Sequence, residues 1–367
     1  MATTIPPDMP ALSDPDLVAL TAGLIDIASP SFEEGPFADW AEAQLRSLPH
    51  VEVTRVGDNV VARTELGRDH RVVLAGHLDT VPANGNATAR LEGDTLHGLG
   101  SADMKSGLAV FLHLVATITE PLHDITLVLY AAEEVAFEHS GLGQLQRERP
   151  DLVAGDVAIL GEPTDSAMEA GCQGTARVRI RLAGARSHTA RPWMGRNAIH
   201  RLGPVLNTLG AYEARRPVID GCEYRESIQA VFVDGGVAGN VVPDEATVTV
   251  NLRIAPDRTV ADAVAALEGM LADHLDDGDA VTVVDAAEPA APGLDHPVLD
   301  ALGRQDEVTV RAKLGWTDVS RFAAAGIPAV NFGPGDSTVA HTAGEHVTRD
   351  SIDRVHRALR QVLAGND

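Results

Sequence analysis

Positive charge is scarce in this chain. Its 367 residues carry 29 Lys+Arg against 53 Asp+Glu, a formal net charge of −24, and lysine occurs only at Lys105 and Lys313. Such a surface repels phosphates, which argues against nucleic acid as a partner. It suits a well-solvated exterior and attracts cations, metal ions among them. Cysteine is scarcer still, with Cys172 and Cys222 the whole complement. Two thiols build no disulfide framework, so a reduced, cytoplasmic setting is expected. No stretch approaches the roughly 20 apolar residues of a membrane helix. The most apolar helical candidate, Leu108 to Ile118, is short and contains His113, so no membrane partner is expected. No basic residue precedes Arg46, which argues against a secretory signal. Internal repeats and low-complexity tails are also missing. What remains is ordinary globular composition, 44% hydrophobic and 22% charged, with length for two domains or one large one.

The first 170 residues alternate helical and strand patterns. Asp14 or Asp16 can cap a helix through Leu17, Leu20, Leu24 and Ile27, and Pro36 to Leu48 reads as a second. Arg71 to Gly76, Ile125 to Ala131 and Val157 to Leu160 read as buried strands, and Asp103 to Ile118 as a helix after a Gly-rich loop. Strands separated by helices predict a sheet with parallel members and helices on both faces. Near Thr175 the pattern changes. Ala176 to Ala183 alternates arginine with Val178, Ile180 and Leu182. A helix from Asn197 to about Ala214, strands Ser227 to Asp234 and Ala246 to Ile254, a helix bearing Val260, Val264, Leu267, Leu271 and Leu275, and a strand Val281 to Val284 follow. That order, β-α-β-β-α-β, is ferredoxin-like. Ala286 to Gly293, with Pro289 and Pro292, reads as a linker. Then α/β character returns, with a strand Pro328 to Phe332 and a helix Ser351 to Leu363. The expectation is one α/β domain, 1–174 and 288–367, interrupted by an inserted domain, 175–287.

Five segments carry chemistry, all at predicted strand ends or the loops after them, where open α/β sheets bind ligands. In Gly76-His77-Leu78-Asp79, His77 and Asp79 are two apart and share one face of an extended backbone. The imidazole can bind a metal while the carboxylate fixes its tautomer. In Gly98-Leu-Gly-Ser-Ala-Asp103-Met-Lys, Asp103 stands where a helix begins, as a ligand or as an N-cap. The loop lacks the Gly-Lys-Ser/Thr element of a phosphate loop. Glu133 and Glu134 follow a hydrophobic strand, an unfavourable pairing without positive charge nearby. Glu162 ends another strand, and the Gly/Pro loop from Phe332 leads to His341. Singly, each has a bland reading as a cap, a turn or a solvated side chain. Together, mixed N/O donors suit zinc or a similar divalent ion. Two ions sharing one carboxylate are served by His77, Asp103 and Glu162, and by Asp103, Glu134 and His341. Glu133 is then left to accept a proton from water.

These motifs, in order and spanning nearly the whole chain, resemble the family of co-catalytic zinc deacylases and exopeptidases. That family includes desuccinylases, acetylornithine deacetylases, aminoacylases and carboxypeptidases. The resemblance implies an α/β zinc-exopeptidase-like catalytic domain with an inserted ferredoxin-like lid, through which a homodimer forms. It implies His77, Asp103, Glu134, Glu162 and His341 as ligands of two divalent ions, zinc first, with cobalt or manganese as alternatives. Asp103 would bridge them. Asp79 would orient His77, and Glu133 would act as general base and then acid. In Gly184-x-x-Ser-His188-Thr-x-x-Pro192, His188 resembles the residue that reaches a neighbouring subunit's site and supports the oxyanion.

Within that family, Gly161 to Thr164, Glu169 to Gly174, Arg186 to Arg191 and Trp193 to Ile199 look most like the actinobacterial succinyl-diaminopimelate desuccinylase branch. Trp316 and Gln173 depart from the better-known proteobacterial desuccinylase pattern, in which a small and a basic residue are common there. The implied substrate is a small N-acyl amino acid, N-succinyl-L,L-2,6-diaminopimelate, in diaminopimelate and lysine biosynthesis. Asn240, Thr317 and Gly333 fall in segments resembling substrate contacts. Arginine recognises carboxylates bidentately, which makes Arg253, Arg191 and Arg177 candidates. The rivals are deacetylation of N-acetylornithine or a similar compound, and a non-catalytic metal-binding scaffold.

Overall fold

Asp16 settles the first helix: its carboxylate accepts the Ala19 amide at 3.3 Å and the helix runs Leu17–Ile25. The computed structural model describes residues 5–365. The described chain divides into two compact units. One takes residues up to 170, 293–311 and from 321 on; the other takes 171–292 and 312–320.

The first unit is built on an eight-stranded mixed sheet. Its order is Glu52–Val56, Asn59–Arg63, Asp124–Tyr130, Arg71–His77, Val157–Leu160, Ala329–Asn331, Met168–Ala170 and Val310–Ala312. The centre is parallel: Arg71–His77 pairs in parallel with Asp124–Tyr130 and Val157–Leu160, and Val157–Leu160 with Ala329–Asn331. These are the uninterrupted apolar runs of the sequence, as strands covered on both faces require. Every residue of Asp124–Tyr130 and Val157–Leu160 is buried. The helix Lys105–Thr117 packs on the two central strands and against Leu17–Ile25 and Arg349–Ala364. Two details exceed the sequence pattern. A hairpin, Glu52–Val56 with Asn59–Arg63, extends the sheet antiparallel. A separate three-stranded sheet joins Arg90–Glu92, Thr95–His97 and His346–Thr348.

The second unit holds a four-stranded antiparallel sheet, ordered Ser227–Gly235, Glu245–Ile254, Gly174–Ala183, Ala280–Ala287. With helices Ala198–Gly210 and Val260–Leu271 between strands, this is the β-α-β-β-α-β order expected. The inward residues Val178, Ile180, Leu182, Val248 and Val250 are fully buried with Val205 and Leu267 of the helices. Two expectations are corrected. The helix expected to Ala214 ends at Gly210, with Ala211 as its C-cap, and the Tyr212 hydroxyl beyond it donates to Glu226 at 3.2 Å. The last strand is twice the expected length and takes Ala286 and Ala287 from the linker. It pairs along Gly174–Ala183 past a register shift between Val283 and Asp285, and its polar, small end hid it from a reading by apolar content. Among the described residues no helix is long and apolar enough to cross a membrane.

Candidate metal centre

Four parallel strands of the first unit end at one edge, and the loops that follow carry the chemistry-bearing residues. His77 is the last residue of Arg71–His77 and is 1% exposed. Its Nδ1–H donates to the Asp79 carbonyl oxygen at 2.9 Å, so Nε2 is the nitrogen presented outward, 3.1 Å from Asp103 Oδ1. The other Asp103 oxygen lies 3.4 Å from His341 Nε2, which is 2.8 Å from Glu134 Oε1. Asp103 thus sits between two imidazoles, one on each oxygen. It does not cap the next helix: Met104 holds the cap position and no side chain bonds there.

Donor atoms of His77, Asp103 and Glu162 lie within 4.8 Å of one another, as do those of Asp103, Glu134 and His341. The two triads share Asp103. A third group joins His77 with Glu133 and Glu134. Five carboxylates counting Asp79 face two imidazoles, so even two protonated histidines leave the cluster anionic. A mixed N/O donor set with excess negative charge fits divalent cations.

Asp79 does more than face His77. Its Oδ1 accepts the Glu133 amide at 3.0 Å; its Oδ2 accepts the Glu134 amide at 3.1 Å and the Ser31 hydroxyl at 2.8 Å. The glutamate pair is therefore hung from Asp79 by its backbone. Glu34, 1% exposed, takes the preceding amide, that of Ala132, at 2.9 Å. Ala132 has φ of 59°, a left-handed conformation that turns the chain sharply after the strand.

Burial raises the Asp79 carboxyl, but the His77 hydrogen bond and charge and the donated amide outweigh it and hold it at about 2. Burial opposes charge on His77 too, yet Asp103 and Asp79 hold it well above the usual imidazole value. Asp103 is kept below the usual carboxylate range: burial is opposed by hydrogen bonds from both histidines. Hydrogen bonds to Asp103 and Glu134 push His341 up to about 10. Each group stabilises the opposite charge on its neighbour.

Gly333 belongs to the same edge. A Cβ there would meet the Gly161 carbonyl oxygen at 2.2 Å and the Glu162 carbonyl oxygen at 2.5 Å, so only glycine lets the two loops approach. Its amide is donated to Thr164 Oγ1 at 3.1 Å.

The other predicted residues belong to the second unit. His188 is exposed, on the two-residue strand Ser187–His188, and its Nδ1 accepts the Ala190 amide at 3.0 Å. Asn240 is exposed, and its backbone carbonyl takes the Thr189 amide at 3.0 Å. Thr317 is buried. The three arginines separate. Arg177 pairs with Asp285 at 2.8 Å, and Arg191 is exposed. Arg253 is half-buried, has no carboxylate partner among the described residues, and is pushed down by burial alone.

Sequence reading missed Ser31, Glu34, Lys105 and Glu345. Lys105 is 2% exposed, and its ammonium donates to the Ile27 carbonyl at 2.6 Å, over the Phe37 ring. The available signal was a lone lysine in an apolar helix start; the acidic residues lay in loops with no period to mark them.

Comparison with known proteins follows the same lines. The profile of Peptidase family M20/M25/M40 matches residues 73–365. A Mycobacterium tuberculosis protein named putative succinyl-diaminopimelate desuccinylase DapE is 55% identical over 351 residues, covering 95% of this chain and 98% of its own. A Corynebacterium glutamicum succinyl-diaminopimelate desuccinylase is 46% identical, covering 99% of this chain and all (100%) of its own. Among solved structures, aminopeptidase PepT from Bacillus cereus superposes with TM-score 0.76 at 17% identity, over 95% of this chain and 97% of its own. The Bacillus subtilis YXEP protein, described as a dinuclear metal binding peptidase, gives 0.67 at 14%, over 94% and 96%.

Proposed function

The chain belongs to peptidase family M20/M25/M40, and on that premise we propose that it hydrolyses the amide of N-succinyl-L,L-2,6-diaminopimelate to succinate and L,L-diaminopimelate. The observation that carries the reaction class is the pair of donor triads sharing Asp103, with Glu133 beside them. The names of relatives at 55% and 46% identity carry the substrate.

In this reading His77, Asp103 and Glu162 hold one divalent ion and Asp103, Glu134 and His341 a second, zinc first, with cobalt or manganese as alternatives. Such ions polarise a carbonyl and lower the pKa of water. Glu133 takes the proton from the attacking water and returns it to the departing amine nitrogen. Asp79 holds His77 in one tautomer and fixes the backbone of Glu133 and Glu134. The segment 175–287 is assigned as an inserted lid and homodimerisation domain. From it, His188 supports the oxyanion, while Asn240, Arg191 and Arg253 meet the substrate, with Thr317 and Gly333 from the remainder of the chain. Arg253 is the best supported carboxylate partner, because a half-buried guanidinium without an acidic neighbour gains most from one.

The test compares kcat/KM for N-succinyl-L,L-diaminopimelate and N-acetyl-L-ornithine on zinc-loaded protein. Strong preference for the succinyl compound is expected. Preference for the acetyl compound would keep the metal centre and overturn the substrate. Turnover of neither would overturn the reaction.

A further inference from the structure

Glu345 is 1% exposed and lies between His341 and the strand His346–Thr348. One of its carboxylate oxygens accepts two consecutive amides, those of Ala102 and Asp103, each at 3.0 Å. Its backbone carbonyl accepts the Gly98 amide at 3.2 Å, and its own amide donates to the Thr342 carbonyl at 3.2 Å. One residue therefore grips both ends of the loop that delivers Asp103, from a point four residues past His341. The helix Lys105–Thr117 has no side-chain cap of its own, so these two loop amides find their acceptor in Glu345.

Burying a carboxylate is costly unless its charge is met. Burial and the nearby Asp103 charge raise the Glu345 carboxyl, and the loop amides oppose them. Lys105, also buried, is pushed down to about 7 by burial, against the opposing charges of Glu345 and Asp26. The position makes sense for geometry: Asp103 must reach histidines on both sides, at 3.1 and 3.4 Å, and its backbone is fixed through its own amide.

We propose that Glu345 is a positioning residue for the metal pair. It locks the Asp103 loop to the His341 loop, so that the shared carboxylate stays divided between the two triads. The inference rests on the metal reading above.

The test uses full-length Glu345→Met, which removes the acceptor at similar volume, and Glu345→Gln, which keeps an accepting oxygen. Amide hydrogen exchange on metal-stripped protein reads the clamp alone. Ala102 and Asp103 amides are expected to be protected in wild type and the Gln variant and to exchange faster in the Met variant. Competition of zinc against a chelator then reads the consequence. The Met variant is expected to bind at least one ion about 10–100-fold more weakly. The Gln variant should recover most of that loss. For the succinyl substrate, kcat falls in the Met variant while KM stays near wild type. Faster exchange with unchanged zinc affinity would overturn the positioning role. Wild type that takes up no zinc would overturn the metal reading itself, seen before any variant is compared. If Glu345→Met yields no folded chain, Glu345→Asp withdraws the oxygen by one methylene and carries the same comparison.

Discussion

Glu133 is half-buried, and its backbone amide is held by Asp79 while its side chain lies with His77 and Glu134. A group placed that way can move a proton without being needed to hold an ion. Glu133→Gln is expected to lower kcat by on the order of 10²–10⁴-fold, with the metal content of the zinc-loaded chain unchanged from wild type by elemental analysis. Loss of an ion in that variant would make Glu133 a ligand instead. His77, Asp79, Asp103, Glu133, Glu134, Glu162 and His341 were all legible in the sequence, because regular strands and one helix deliver them to a single sheet edge. Glu345 was not legible. It reaches Ala102 and Asp103 across about 240 residues of chain, and no local pattern records such a contact. The arginines show the same limit: sequence offered Arg177 as a candidate beside Arg191 and Arg253, and only the structure pairs it with Asp285.

Elements were legible in proportion to their apolar periodicity. Val157–Leu160 matches its sequence reading residue for residue, since a buried parallel strand is a bounded apolar run. The three-residue strands Arg90–Glu92, Thr95–His97 and His346–Thr348 carry mixed polarity and no period, and their pairing is partly long-range. In the second unit a polar tie supplements the apolar face. Arg201, on the helix Ala198–Gly210, donates to both oxygens of Asp279, at 2.7 and 2.6 Å, and Asp279 also accepts the Ala183 and Asp276 amides. Burial raises the Asp279 carboxyl, but Arg201 and those amides hold it at about 2. A folded value below the unfolded one contributes stability above about pH 4 and loses it as pH falls towards 2. Arg201→Met leaves the Asp279 carboxylate with its two amides but no cation and is expected to cost about 3 kcal/mol in urea unfolding at pH 7. The variant's stability should also fall less steeply between pH 4 and pH 2 than that of wild type. An unchanged midpoint would show the tie to be dispensable.

At the scale of the whole chain, a net charge of −24 raises the local concentration of cations and favours their capture. Stripping the metals with a chelator is expected to abolish turnover and lower the thermal midpoint by several degrees, since bound ions stabilise only the folded state. Zinc or cobalt should restore both, and reloading should slow as ionic strength rises and the field is screened. Recovery at a salt-independent rate would deny the acidic surface any part in capture. The same chain is also chemically quiet. Cys172 and Cys222 are free and buried, at 0% and 2% exposure, and burial pushes both thiols up. Maleimide reagents therefore meet no reactive sulfur on the folded surface. Cysteines introduced at Leu66 of the first unit and Val218 of the second, 40% and 65% exposed, become unique attachment points for a dye pair. Energy transfer between those dyes would report, one molecule at a time, whether the distance between the two labels changes during turnover.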